Sequence, residues 1–242
     1  MGTWLQWVFL TWLTGSPLGA AALVLAIWWL GDRFTFRLFP SPVRLVRRWR
    51  RIAELRRAIA ANPHDRRARF ELSELLLEAG RARAAVEVLR PNVEAGDDDV
   101  HTAFTMGAAL ARSGFAEQAE KVLAAARAEE PGFRMGEIDL ELGRMRLARR
   151  DFAGAREALE RVLALRPGTV QGRALLARAL DGLGDRAGAG RVRDAAWREY
   201  ASLPRFHRRH ERPYAWRLRP WRPALVALAV VVALALAASL LG

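Results

Sequence analysis

The chain has no cysteine, which excludes disulfides, thiolate metal centres and cysteine nucleophiles together. Lysine is almost missing too: Lys121 is the only one among 39 basic residues, so arginine carries the positive charge. There is no HExxH, no GxSxG and no phosphate-binding glycine loop, so the common signatures of hydrolases and nucleotide enzymes are lacking. Of the four histidines, His207 and His210 are spaced to share a helix face. They lie in an arginine-rich stretch with only Glu211 as a nearby acid, a setting that disfavours a bound cation. The acidic run Asp97-Asp98-Asp99 lacks the spacing of a calcium loop and reads as a helix N-cap cluster. No catalytic residue, metal or cofactor is expected.

What is present is a formal net charge of +13, unevenly placed. Arg33 to Ala61 holds nine basic residues and one acid, Arg205 to Arg222 seven and one, whereas residues 62–204 carry 23 of each sign. A nucleic-acid-binding domain would carry its basic face on the folded part, so nucleic acid is not an expected partner.

The two ends are apolar. Residues 224–241 contain one serine and no charge, roughly 27 Å of helix against a hydrocarbon core of about 30 Å. Residues 4–30 are uncharged, with Trp4 and Trp7 at one end and Trp28 and Trp29 at the other, as interfacial aromatic belts are placed. Pro17, in Gly15-Ser16-Pro17, interrupts this run, which leaves either one kinked span or a short interfacial helix followed by a span. A cleaved signal peptide would begin with positive charge, and this chain does not. Arg33 and Arg37 follow the first run. Trp216, Arg217, Arg219, Trp221 and Arg222 precede the second, and these residues are the expected membrane interface. Both basic collars face the middle of the chain. The positive-inside rule then puts the middle in the cytoplasm and both termini outside, and the composition suggests a prokaryotic inner membrane. Lipid contact is expected at the anchors, with anionic headgroups as candidates at the collars. The expected divisions are an anchor over 1–36, an arginine-rich capping helix over 37–63, a repeat domain over 64–203, a linker over 204–222 and a C-terminal span over 223–242.

The middle is periodic. Ala85, Ala119, Ala155 and Ala189 are spaced by 34, 36 and 34 residues, and Leu89, Leu123 and Leu159 follow the first three in register. Gly80, Gly114 and Gly184 mark turns, with Arg150 at the equivalent place in the third unit. The second unit places Met106, Gly107, Leu110, Gly114, Ala119, Leu123, Ala126 and Pro131 as a tetratricopeptide repeat does, and over residues 65–200 the chain resembles that family. The resemblance implies an all-α solenoid of about four helical hairpins, here flanked by membrane helices. It implies an adaptor that binds a protein or peptide and catalyses nothing. Family members with a membrane anchor often assist assembly of envelope complexes or regulate membrane enzymes, and this is the alternative reading. The departures are that position 4 of each unit (Arg69, Ala103, Asp139, Arg173) is never large and apolar, that Arg146 and Arg193 replace apolar residues, and that an insertion lies around Phe133–Glu137. Glycines flanking Ala189 predict a loose second helix in the last unit.

In the family, the first helix of each unit lines a concave groove. The positions that match give Phe70, Glu74, Glu78, His101, Phe104, Arg144 and Arg178 as candidate groove residues. Phe70 and Phe104 would anchor apolar groups, with Glu74 and Glu78 at one end and Arg144 and Arg178 at the other. The bland alternative is a solvated inner face holding two half-buried phenylalanines.

Overall fold

A computed structural model of the protein describes residues 8, 11–20, 23, 42–97, 99–219, 221 and 224–225, and every element among them is helical. The chain divides into two compact units: Met1–Leu45 with Arg219–Gly242, and Val46–Leu218. In the first, helical turns over 11–14 and 17–20 are separated at Gly15, whose φ of +69° is a left-handed value. Ser16 Oγ accepts from Gly19 N at 3.0 Å and caps the second turn, and Pro17, which has no N–H to leave unpaired, opens it. The chain therefore breaks and restarts here. Trp12, Leu13 and Leu18 are exposed. No helix among the described residues is long and apolar enough to cross a membrane. The apolar runs 4–30 and 224–241 lie largely outside those residues, as do Trp4, Trp7, Trp28, Trp29, Arg33, Arg37 and Arg222.

The second unit is built from α1 (Pro42–Ala61, from Val46 onward), then four hairpins: α2 (Arg66–Glu78) with α3 (Ala82–Glu94), α4 (Val100–Ser113) with α5 (Ala116–Glu129), α6 (Glu137–Ala148) with α7 (Phe152–Leu165), and α8 (Val170–Gly182) with α9 (Arg186–Ser202). A last helix, α10 (Arg205–Leu218), packs on α8 and α9. The same turn closes all four hairpins: Arg81 N donates to Leu76 O, Phe115 N to Leu110 O, Asp151 N to Arg146 O and Asp185 N to Leu180 O, at 2.8–3.0 Å. Each turn needs one left-handed residue, supplied by Gly80, Gly114 and Gly184 and, in the third unit, by Arg150 at φ +62°.

Close approach of paired helices explains the small residues. A Cβ on Gly107 would sit 2.6 Å from Leu123 Cγ, and one on Gly143 would sit 2.8 Å from Leu159 Cγ. Ala85, Ala119, Ala155 and Ala189 are fully buried. The glycines around Ala189 do not break α9. Gly188 N donates to the Asp185 cap at 2.7 Å, where a Cβ would collide with the carboxylate, and the helix continues to Ser202. The segment 204–222, expected as a linker, is largely helical. Ala215 and Leu218 of α10 join Val170, Ala174 and Ala196 in an apolar cluster that shields the last hairpin as a further repeat would.

The apolar core runs in one cluster from Ile52 of α1 to Ala158 of α7 and in a second from Leu140 to Ala189, meeting in the third unit. At the junction of the second and third hairpins, α5 and α6 approach less closely than the equivalent helices elsewhere. Ion pairs bridge it. Glu120 of α5 accepts from Arg146 at 2.8 Å and from Arg149 at 3.2 Å, and Glu141 of α6 accepts from Arg112 of α4 at 3.1 Å. Asp139 of α6, only 2% exposed, lies 2.8 Å from Arg161 of α7 and 3.6 Å from Arg127 of α5. Two of the departures from the apolar repeat pattern, Asp139 and Arg146, are thus where charges hold this junction, whereas Arg69 and Ala103 carry no ion pair among the described residues. Arg173 of α8, also at position 4, pairs with Glu199 at 3.4 Å.

Candidate partner groove

Four of the seven predicted groove residues, Phe70 and Glu74 on α2 and His101 and Phe104 on α4, share one neighbourhood, and three of them meet through a side chain that the sequence left unassigned. The insertion after α5 forms a 3-10 turn, Phe133–Met135, and its backbone is left-handed at Arg134 (φ +43°), Met135 (φ +58°) and Gly136 (φ +86°). Two non-glycine residues in that region cost about 1–2 kcal/mol each. The return is the position of two side chains. Phe133, 1% exposed, packs its ring 5.3 Å from that of Phe104 and 4.9 Å, edge-on, from His101. Arg134 donates from Nη2 toward His101 Nδ1 at 3.1 Å, lies 3.6 Å from Glu74 and stacks its guanidinium 5.9 Å above Phe104. Glu74, His101 and Phe104 therefore converge on Arg134.

Phe70 is half-buried and packs on the first core cluster. It also lines an open recess of about 390 Å³ between the starts of α2 and α4, with Arg66, Arg67, Asp97, Asp99 and His101 around it. Asp99 caps α4, accepting from His101 N at 2.8 Å and Thr102 Oγ1 at 2.7 Å. Burial, and then the neighbouring Asp99, push the Asp97 carboxyl above the usual carboxylate range. Backbone and hydroxyl donors at Thr102 outweigh burial at Asp99 and hold it below that range. The recess thus offers an aromatic floor, two acidic side chains and two arginines.

The predicted charge polarity is largely consumed within the chain. Glu78 lies 3.6 Å from Arg48 of α1, and Arg144 donates to Glu141 at 2.8 Å. Of the predicted charges only Arg178, exposed on α8, has no ion pair among the described residues. Gln171 and Ala174 lie near the start of α8. α10 covers them: Glu211 Oε2 accepts from Gln171 N at 3.2 Å, and Ala174 is buried under Ala215 and Leu218. Of the expected interface residues on α10, Trp216 stacks with Arg212 at 5.7 Å and Arg217 with Tyr214 at 5.9 Å.

Phe133 and Arg134 were signalled in the sequence only as an insertion that stretches one period to 36 residues. Asp139 and Glu141 were signalled by acids alternating with apolar residues in Ile138-Asp139-Leu140-Glu141-Leu142, which on a helix cannot all face water.

The solenoid matches solved structures. The crystal structure of MamA aligns with TM-score 0.55 at 20% identity, over 61% of this chain and 85% of that one. A second MamA structure, from AMB-1, aligns with TM-score 0.57 at 17% identity, over 66% and 94%. The TPR protein TTC0263 of Thermus thermophilus aligns with TM-score 0.53 at 24% identity, over 73% and 94%. No family model and no curated protein matches the sequence. The fold is a TPR-like solenoid.

Proposed function

We propose that the chain is a membrane-anchored scaffold whose TPR-like solenoid binds a protein or peptide at the cytoplasmic face and performs no chemistry itself. The observation that carries the binding half is the recess at Phe70, where an aromatic side chain stays half-open beside charges of both signs, on the first helix of its unit, which the tetratricopeptide resemblance assigns to the concave side. The anchored half is supported by the two uncharged runs flanked by arginine collars and by the exposed Trp12, Leu13 and Leu18, which in water would be an unfavourable apolar surface. The cytoplasmic placement is supported by the arginine collars alone.

A partner that engages the groove contacts Phe70 and His101 directly and leaves the outer helices free. A photo-crosslinking amino acid at position 70, introduced in cells, is expected to yield a discrete adduct, whereas the same group at exposed Ala125 on α5 is not. Adducts at 125 and none at 70 would move the binding face to the convex side.

A further inference from the structure

The helix α1 has two faces, and only one is used. Ile52, Leu55 and Ile59 turn into the core of the solenoid, and Arg51 is fixed to Glu71 by paired hydrogen bonds of 2.6 and 2.7 Å. On the other side, the 3.6-residue turn places Val46, Trp49 and Ala53 in one strip, bordered by Arg56 on one flank and by Arg50 and Arg57 on the other. Trp49 is 63% exposed and Val46 51%. Ala53 and the three bordering arginines are exposed as well, and none of those arginines makes an ion pair among the described residues. A soluble helix that needed charge only for solvation would not need tryptophan and valine in the strip between the arginines.

We infer that this face of α1 docks on an anionic lipid surface, with Trp49 and Val46 at the headgroup–acyl boundary and Arg50, Arg56 and Arg57 on phosphate groups. Three observations converge on lipid over a protein partner. The strip is narrow, flat and bordered by one sign of charge, the arrangement of interfacial amphipathic helices. Tryptophan has an apolar body with a polar N–H, which suits the interface. The strip begins sixteen residues beyond Leu30, the end of the apolar run, a reach of at most about 58 Å, so a membrane holding that run keeps α1 at high effective concentration near its surface. The inference rests on the proposed anchoring and adds to it. Besides the spans, the solenoid itself would be held to the bilayer through its first helix, and this would set which way the groove faces.

The test uses the full chain, whose lack of cysteine allows a single spin label at Ala53→Cys, within the strip, and a control at Ala125→Cys on α5. The protein is placed in phosphatidylcholine nanodiscs with and without phosphatidylglycerol, and collision rates with oxygen and with a water-soluble nickel complex report depth. The expected result is a label at 53 that is shielded from nickel and exposed to oxygen in anionic discs only, with position 125 aqueous in both. Trp49→Ala, and separately Arg50→Gln/Arg57→Gln, should return the label to water. Each arginine should change the docked-to-free ratio about five-fold, roughly 30-fold for the pair. A label at 53 that stays aqueous in anionic discs overturns the inference. So does one equally shielded and immobilised in detergent, which would mean that protein covers the strip. Failure of the chain to incorporate into the discs at all would instead overturn the anchoring.

Discussion

Asp139 gives the sharpest test of how the solenoid is held at its ionic junction. Its carboxylate is 2% exposed, whereas the side chains of Arg161 and Arg127 are each 34% exposed. Removing the acid and removing a base should therefore have unequal costs. In Asp139→Ala the two arginines turn to water, and Arg161 keeps Glu157 at 2.8 Å. What is lost is a charge-assisted hydrogen bond, about 2 kcal/mol. In Arg161→Ala the carboxylate stays buried with only Arg127 at 3.6 Å, and a stranded buried charge costs about 3–5 kcal/mol, here about 3 because Arg127 remains. The double variant strands nothing and should cost about as much as Asp139→Ala alone, well short of the sum. Urea denaturation followed by far-UV circular dichroism in detergent is the assay, since urea does not screen ion pairs as guanidinium salts do. If Arg161→Ala is as mild as Asp139→Ala, or if the double variant is additive, the pair is not the support inferred here.

Other outcomes follow from the same geometry. Arg150→Gly relieves the one non-glycine hairpin turn at φ +62° and should stabilise the chain by about 0.5–1 kcal/mol by the same urea assay. Gly107→Ala forces a Cβ to within 2.6 Å of Leu123 and should destabilise by about 1–3 kcal/mol. A second change, Leu123→Ala, should then cost less in that background than it does alone. Arg134→Ala removes the cation over Phe104 and beside Glu74 and should open the groove at a stability cost of about 1 kcal/mol or less, because that side chain is exposed; faster hydrogen exchange confined to residues 131–137 would show it. Burial raises the Glu211 carboxyl above the glutamate range, so its folded form is favoured when protonated. The contribution is complete below an unfolded value of about 4.3 and is lost as pH rises through the folded value. Glu211→Gln keeps an acceptor for Gln171 N and should abolish that decline in urea midpoint with pH.

The repeat was legible because its signals are steric and periodic. Gly107 and Gly143 sit where only a hydrogen fits against Leu123 and Leu159, and the turns recur at fixed steps whatever else the sequence does. Arg150 could be placed as a turn residue by spacing alone, although its residue type is wrong for the conformation. The groove was harder to read because a face map says which side chains point inward and not which neighbours answer them. Arg144 was assigned to the inner face, but its charge is taken by Glu141 one turn away, and Glu78 is met by Arg48 from a helix outside the repeat. The 3-10 turn at Phe133 depends on left-handed backbone at residues with no propensity for it, which no pattern in the local sequence announces. The helix α10 was hidden by Pro213 and by a charge density typical of a linker. Its few apolar residues are spaced to meet the last hairpin, a surface that exists only once the solenoid has formed.

We place a cytoplasmic TPR-like solenoid between membrane segments at both ends, and the topology of the chain tests that proposal. Single cysteines replacing Gly2, Glu94 and Gly242 in this cysteine-free chain are probed in intact cells with a membrane-impermeant thiol reagent. Labelling of 2 and 242, with 94 reached only after lysis, is the predicted result. Labelling of 94 alone would invert the solenoid to the outer side, and protection of all three sites before lysis, with the chain recovered free of membranes, would contradict the anchoring itself.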